Sequence, residues 1–282
     1  VAWNFYQRRA LFLDLVAGAE FKHISVDNQL VAVTGTDDFF VPSVAVRLER
    51  NLESMRTTAS LGFEFNLPGI AGTSDNLDAL GRIGAENNYS ILKGEGTHSF
   101  YLEPLFDPDA VNTGGLANEI LLVARGQYSM GNRLIPNEEQ TAGGLYTVRG
   151  YPESITAGDS AIIATVEYRY HIPKSLSANP TPGTLFGKEF RYRPQYQYGP
   201  TDWDLILKAF VDAGSVWITD PLSFEKDQTL VGVGIGAELA VTRHFNVRVD
   251  WGFALKGLTD STGASIVDDG HNELEFVATV VY

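Results

Sequence analysis

Hydrophobic and polar residues alternate with a period of two along most of this chain. At its C-terminal end Leu274, Phe276, Ala278, Val280 and Tyr282 share one face, and Glu273, Glu275 and Thr279 share the other. Phe245, Val247, Val249, Trp251 and Phe253 alternate with Asn246, Arg248, Asp250 and Gly252. In 204–215, Leu205, Leu207, Ala209, Val211 and Ala213 oppose Asp204, Lys208 and Asp212. Successive side chains of a β-strand point to opposite faces, so this period predicts strands. The pattern recurs in 229–241, 160–171, 118–130, 55–67, 39–50 and 10–24, and more weakly in 89–106, which gives ten predicted strands. Helical periodicity appears nowhere over a useful length.

Two properties separate these strands from those of a soluble sandwich. They run to about 11 residues or more, against ~5–6 in ordinary sheets, and that length lets a tilted strand cross a bilayer. Their polar face carries Arg125, Glu167, Arg169, Lys208, Asp212, Arg248 and Asp250, which suits a watery lumen rather than a dry core. The expected fold class is therefore all-β, an antiparallel transmembrane β-barrel spanning 1–282, in the bacterial outer membrane. With Tyr282 on the periplasmic side, long outer loops fall at 256–271, 217–228, 131–159, 68–88 and 25–38. The inner turns are then 242–243, 172–203, 107–117 and 51–54, and both termini lie inside. The connection 172–203 contains Phe186, Phe190, Tyr192, Tyr196, Tyr198, Arg191 and Arg193. It reads equally as an ordered periplasmic insertion, such as a hairpin, or as a disordered one.

Composition narrows the chemistry. A net charge of -14 disfavours nucleic acid, whose phosphates attract a basic surface. Cysteine is absent and the five histidines (23, 98, 171, 244 and 271) have no metal-ligand spacing, so no metal, cofactor or catalytic residue is predicted. No run approaches the ~20 apolar residues of a membrane helix. Gly232, Gly234 and Gly236 have G-x-G-x-G spacing inside a strand, not the nucleotide-binding pattern at a strand-to-helix turn; they predict a smooth inner wall with room for an inserted loop. Gly158-Asp159-Ser160 is not a nucleophile elbow.

Two short motifs carry the functional signal. Val148-Arg149-Gly150-Tyr151 lies in the longest outer loop, after Gly143-Gly144. Phe210-Val211-Asp212-Ala213-Gly214 lies on a strand, with Asp212 on the inward parity. A guanidinium can clamp a carboxylate through two parallel hydrogen bonds, so Arg149 and Asp212 are candidates for holding that loop inside the lumen. Over about 118–282 the chain resembles the superfamily of BamA and the two-partner secretion (TpsB) transporters, in which a V-R-G-[FY] loop folds into the barrel to meet an F-x-D-x-G strand. Phe276 and the terminal Tyr282 are similar to its C-terminal assembly signal. The turn at Thr242-Arg243-His244 lacks the Pro-Gly-Pro character of BamA-type insertases and looks like the TpsB version.

The resemblance implies export of an unfolded partner exoprotein through the pore, with no cofactor and outer-membrane lipid around the wall. It also implies 16 strands and preceding POTRA domains, so the chain is expected to be the C-terminal portion of a longer protein. The alternatives are a BamA/TamA-type assembly factor acting on nascent outer-membrane proteins, and a passive porin-like scaffold barrel.

Overall fold

The computed structural model describes residues 1–29, 33–107, 109, 115–196 and 199–281. Eleven strands form one sheet: β1 (Ala2–Arg8), β2 (Leu11–Asn28), β3 (Val33–Asn51), β4 (Met55–Phe65), β5 (Ser90–Tyr101), β6 (Asn118–Tyr128), β7 (Ser160–His171), β8 (Trp203–Trp217), β9 (Gln228–Val241), β10 (Phe245–Ala254) and β11 (Asn272–Val280). Every strand pairs antiparallel with its neighbours in chain order. The sheet is an up-and-down barrel wall, left open because β1 and β11 are its two edges.

Burial along the strands is inverted relative to a soluble protein. In β8 the inward residues Ile206, Lys208, Phe210 and Asp212 are buried, while Leu207 and Val211 are 45% and 50% exposed. In β11 Phe276 is 75% exposed. An apolar outer face and a charged inner face are what lipid outside and water inside select. They exclude a sandwich, in which Phe276 and Val280 would be covered by a second sheet.

Three sequence expectations are corrected. Among the described residues the wall has eleven strands, not ten, because β1 was hidden. Its run of Trp3, Phe5 and Tyr6 breaks alternation, and a bulge between Asn4 and Tyr6 shifts its parity. An odd number of antiparallel strands sends Val1 to the outer end of the wall rather than the inner one. The third correction concerns 25–38, read as an outer loop. Here β2 and β3 stay paired as far as Asn28 and Val33. Ile24, Val26, Phe39 and Val41 face an apolar cluster that keeps the hairpin together. Tyr198 and Tyr282 lie outside the described residues.

The long connections fold onto the inner face instead of standing free. Between β6 and β7, residues 129–159 enter the barrel and form a small hairpin, Gln140–Ala142 with Thr156–Gly158. Val148, Tyr151 and Ala142 pack there against Ile163, Val216, Leu230, Ala254, Leu258 and Val267. A second cluster lies below the extended β2–β3 hairpin: Phe39, Val41, Leu77, Leu80, Tyr89, Leu134 and Ile135. On the opposite end, 172–202 contains a hairpin of Gly183–Leu185 with Lys188–Phe190.

Candidate functional site

Antiparallel register places the charges of the inner wall in rows. Across β7, β8, β9 and β10 one row reads Glu167, Phe210, Gly234, Gly252, and the next reads Arg169, Lys208, Gly236, Asp250. Asp212 stands opposite Gly232. Glu167, Asp212 and Asp250 therefore converge on one patch of wall, with three glycines of β9 between them.

The glycines leave the volume that the 129–159 segment fills. A Cβ at Gly232 would fall on the Arg149 carbonyl oxygen, and one at Gly234 on the ring of Phe210. A Cβ at Gly252 would lie 2.8 Å from the Arg149 carbonyl carbon. Gly143, Gly144 and Gly150 have φ of 111°, 91° and 91°, a region open to glycine at no steric cost. These three residues turn the segment tightly enough to present Arg149.

Arg149 is 3% exposed and Asp212 fully buried. The guanidinium binds Asp212 as a fork, Nε to Oδ2 at 2.7 Å and Nη2 to Oδ1 at 2.9 Å, and its backbone N–H adds a third bond to Oδ2 at 3.1 Å. Nη1 donates to Glu167 Oε2 at 2.7 Å and to Asp250 Oδ2 at 3.1 Å. The guanidinium carbon sits 3.3 Å from the centroid of the Phe210 ring, a stacked cation–π contact. Around this core Lys208 Nζ lies 2.7 Å from Asp250 Oδ1, Arg248 Nε donates to Asp250 at 2.7 Å, and Arg169 Nε donates to Glu167 at 2.7 Å. Four cations thus meet three carboxylates, which is how buried charge is tolerated.

Val148 and Tyr151 flank the arginine and are both fully buried. The Tyr151 hydroxyl donates to the Lys256 carbonyl at 2.6 Å and accepts from the Val231 N–H at 3.0 Å. An added Cβ at Gly214 would lie 2.9 Å from Val148 Cγ2, so that glycine admits the valine. The structure thus brings Gly143, Gly144, Val148, Arg149, Gly150, Tyr151, Phe210, Asp212 and Gly214 into one site. Phe276 is on the outer face of β11, far from it in role.

Sequence reading named only Asp212 as the partner of Arg149. Glu167, Asp250 and Lys208 were visible as inward charges, and the row they share across four strands follows only from register. Arg82 and Asp159, also buried, gave no signal beyond an arginine and a Gly-Asp-Ser in loops. Among the described residues no group of His, Asp and Glu is placed to hold a metal ion.

No family model matches the sequence, and no curated protein matches it. Solved structures do match. CdiB from Escherichia coli superposes with a TM-score of 0.67 at 13% identity, over 100% of this chain and 44% of that one. CdiB from Acinetobacter baumannii gives 0.61 at 12% identity, over 99% and 41%. BamA from Haemophilus ducreyi lacking POTRA domains 1-3 gives 0.54 at 13% identity, over 99% and 53%. The chain therefore spans less than half the length of the CdiB chains it matches, and what it shares with these proteins is the fold of a TpsB/BamA-type barrel.

Proposed function

We propose that this chain is the barrel portion of an outer-membrane protein transporter, and that the 131–159 segment is a lid held in its lumen by Arg149. The observation that carries the reading is the Arg149 site itself. A passive pore has no reason to bury Arg149 and Lys208 with three carboxylates in order to fill its own lumen. A charge cluster is reversible in a way that an apolar plug is not, because water can solvate each member once the segment leaves. Export of an unfolded partner exoprotein needs such a removable obstruction, and no cofactor or reaction chemistry.

Assembly of other outer-membrane proteins is the second reading, supported by the likeness to BamA. The turn Thr242-Arg243-His244, without the Pro-Gly-Pro character of BamA-type insertases, and the higher TM-scores to CdiB favour export. Deleting the protein from its host separates the two. Export predicts loss of one large protein from the surface or medium, whereas assembly predicts that many outer-membrane proteins fall together.

A tether tests the lid directly. The chain has no cysteine of its own, and the 2.9 Å approach at Gly214 puts the β-carbons of residues 148 and 214 within the ~3.5–4.5 Å reach of a disulfide. Val148→Cys with Gly214→Cys should block export when oxidised and restore it on reduction. Export continuing through the oxidised protein would rule the lid out.

A further inference from the structure

A second buried ion pair lies apart from the Arg149 site. Asp159 is fully buried where the 129–159 segment rejoins the wall at β7, and its carboxylate accepts four hydrogen bonds. Arg82, in the loop between β4 and β5, donates Nη1 to Oδ1 at 2.5 Å and Nη2 to Oδ2 at 2.8 Å. The backbone N–H groups of Leu134 and Thr219 donate at 2.6 Å and 2.8 Å. Four donors occupy the roughly four lone-pair sites of a carboxylate. Arg82 also donates to the Leu134 carbonyl at 2.7 Å and lies 3.0 Å from Glu139. Beside it the buried Arg133 donates to the carbonyls of Ile83 and Thr219 and to Glu225.

One carboxylate thereby joins three outer connections: 66–89, 129–159 and 218–227. Two of those connections, 66–89 and 129–159, share an apolar core of their own, in which Leu77, Leu80, Leu134 and Ile135 pack beneath Phe39 and Val41 of the extended hairpin. That core is separate from the one around Val148 and Tyr151.

We propose that Arg82 and Asp159 form a latch closing the outer mouth, in series with the Arg149 anchor. The contacts divide the work. Arg149 fixes the tip of the segment against β7, β8 and β10. Asp159 fastens the segment's two roots, Leu134 and itself, to two other loops. Loss of Arg149 frees the tip and leaves the mouth capped; loss of Asp159 loosens the cap and leaves the tip seated. A polypeptide-wide passage requires both to open. The proposal rests on the transport reading for its purpose, but the latch can be measured with ions and no exported substrate.

Ion conductance of the full-length protein in planar bilayers tests it, with wild type, Arg149→Ala, Asp159→Asn, Arg82→Gln and the double variant Arg149→Ala/Asp159→Asn. Each single variant should raise the frequency of large openings less than about threefold, and the double variant more than tenfold. Arg149→Ala opening as often as the double variant would overturn the latch and leave the lid reading standing. Equal silence of all variants would also overturn it. Limited proteolysis guards against a folding defect. Asp159→Asn and Arg82→Gln should each become cleavable within 66–89 while 143–151 stays protected, and cleavage at both places together would count against two separate devices. Normal latch behaviour with no protein lost from the host surface on deletion would instead sink the transport reading alone.

Discussion

Arg149 engages four of its five side-chain N–H donors and stacks its flat face on Phe210. Lysine offers neither a fork nor a plane. Arg149→Lys should therefore behave almost like Arg149→Ala, each weakening the seating of the segment by about 2–5 kcal/mol, because buried carboxylates are left unpaired. Protease cleavage between 143 and 151 reads this out, and wild-type resistance in the lysine variant would show that charge alone suffices. Gly232→Ala tests shape rather than charge. In an ordinary strand the change would stabilise by roughly 0.5–1 kcal/mol; here the new methyl falls on the Arg149 carbonyl and should expel the segment with every charge intact.

Glu139 supplies a pH dependence. Burial raises its carboxyl from an ordinary 4.5 to about 7, with Arg82 and Arg133 opposing the shift and Asp159 and Glu225 adding to it. Between these values the closed protein binds a proton that an open, solvated Glu139 lacks, so closure weakens as pH rises from about 4.5 to about 7. Channel opening should be more frequent at pH 7.5 than at pH 5, and Glu139→Gln should flatten that difference. Unchanged pH dependence in the glutamine variant would assign it to another group. At this scale the sequence disclosed the pair Arg149 and Asp212 through local motifs. It could not disclose Glu167 and Asp250, which lie 45 and 38 positions from Asp212 and reach it only through strand register.

Strands of the wall were legible because alternation is strict wherever one face meets lipid and the other water. In β8 every second residue from Ile206 to Val216 is buried. Alternation failed as a guide where that rule lapses. β1 has a bulge, and the outer ends of β2 and β3 carry apolar residues inward because loops, not water, lie against them. The 172–202 connection was ambiguous for a different reason: its described residues are tied together by a few specific contacts. Arg191 forks onto Asp202, with its backbone N–H adding a bond at 2.7 Å, and Trp203 Nε1 donates to the Tyr192 carbonyl at 2.9 Å. Arg191 holds the Asp202 carboxyl below its ordinary value. Amides of Lys188–Phe190 and of Arg191 should exchange well below random-coil rates, and Arg191→Ala should release them. Random-coil exchange in the unaltered protein would contradict an ordered insertion.

The whole molecule presents apolar side chains outward and charge inward, and its tryptophans report on this. Trp217 and Trp251 lie on the outer face, each 44% exposed. Lipids brominated along their acyl chains should quench both, whereas an aqueous quencher should reach them poorly. The reverse pattern would contradict a lipid-facing wall. The barrel as a class followed from strand length and inward charge. The placement of its long connections did not, because it is set by contacts between segments far apart in the chain.

Hydrogen exchange of residues 143–151 tests the central claim most directly, in Arg149→Ala, Asp212→Ala and the double variant, each in the full-length protein embedded in bilayers. If the two side chains act as one anchor, each single change should speed exchange of these amides at least tenfold, equivalent to about 1.4 kcal/mol. The double change should add little more. Two effects that simply multiply, or no acceleration in either single variant, would show that Arg149 and Asp212 do not hold the segment in the lumen.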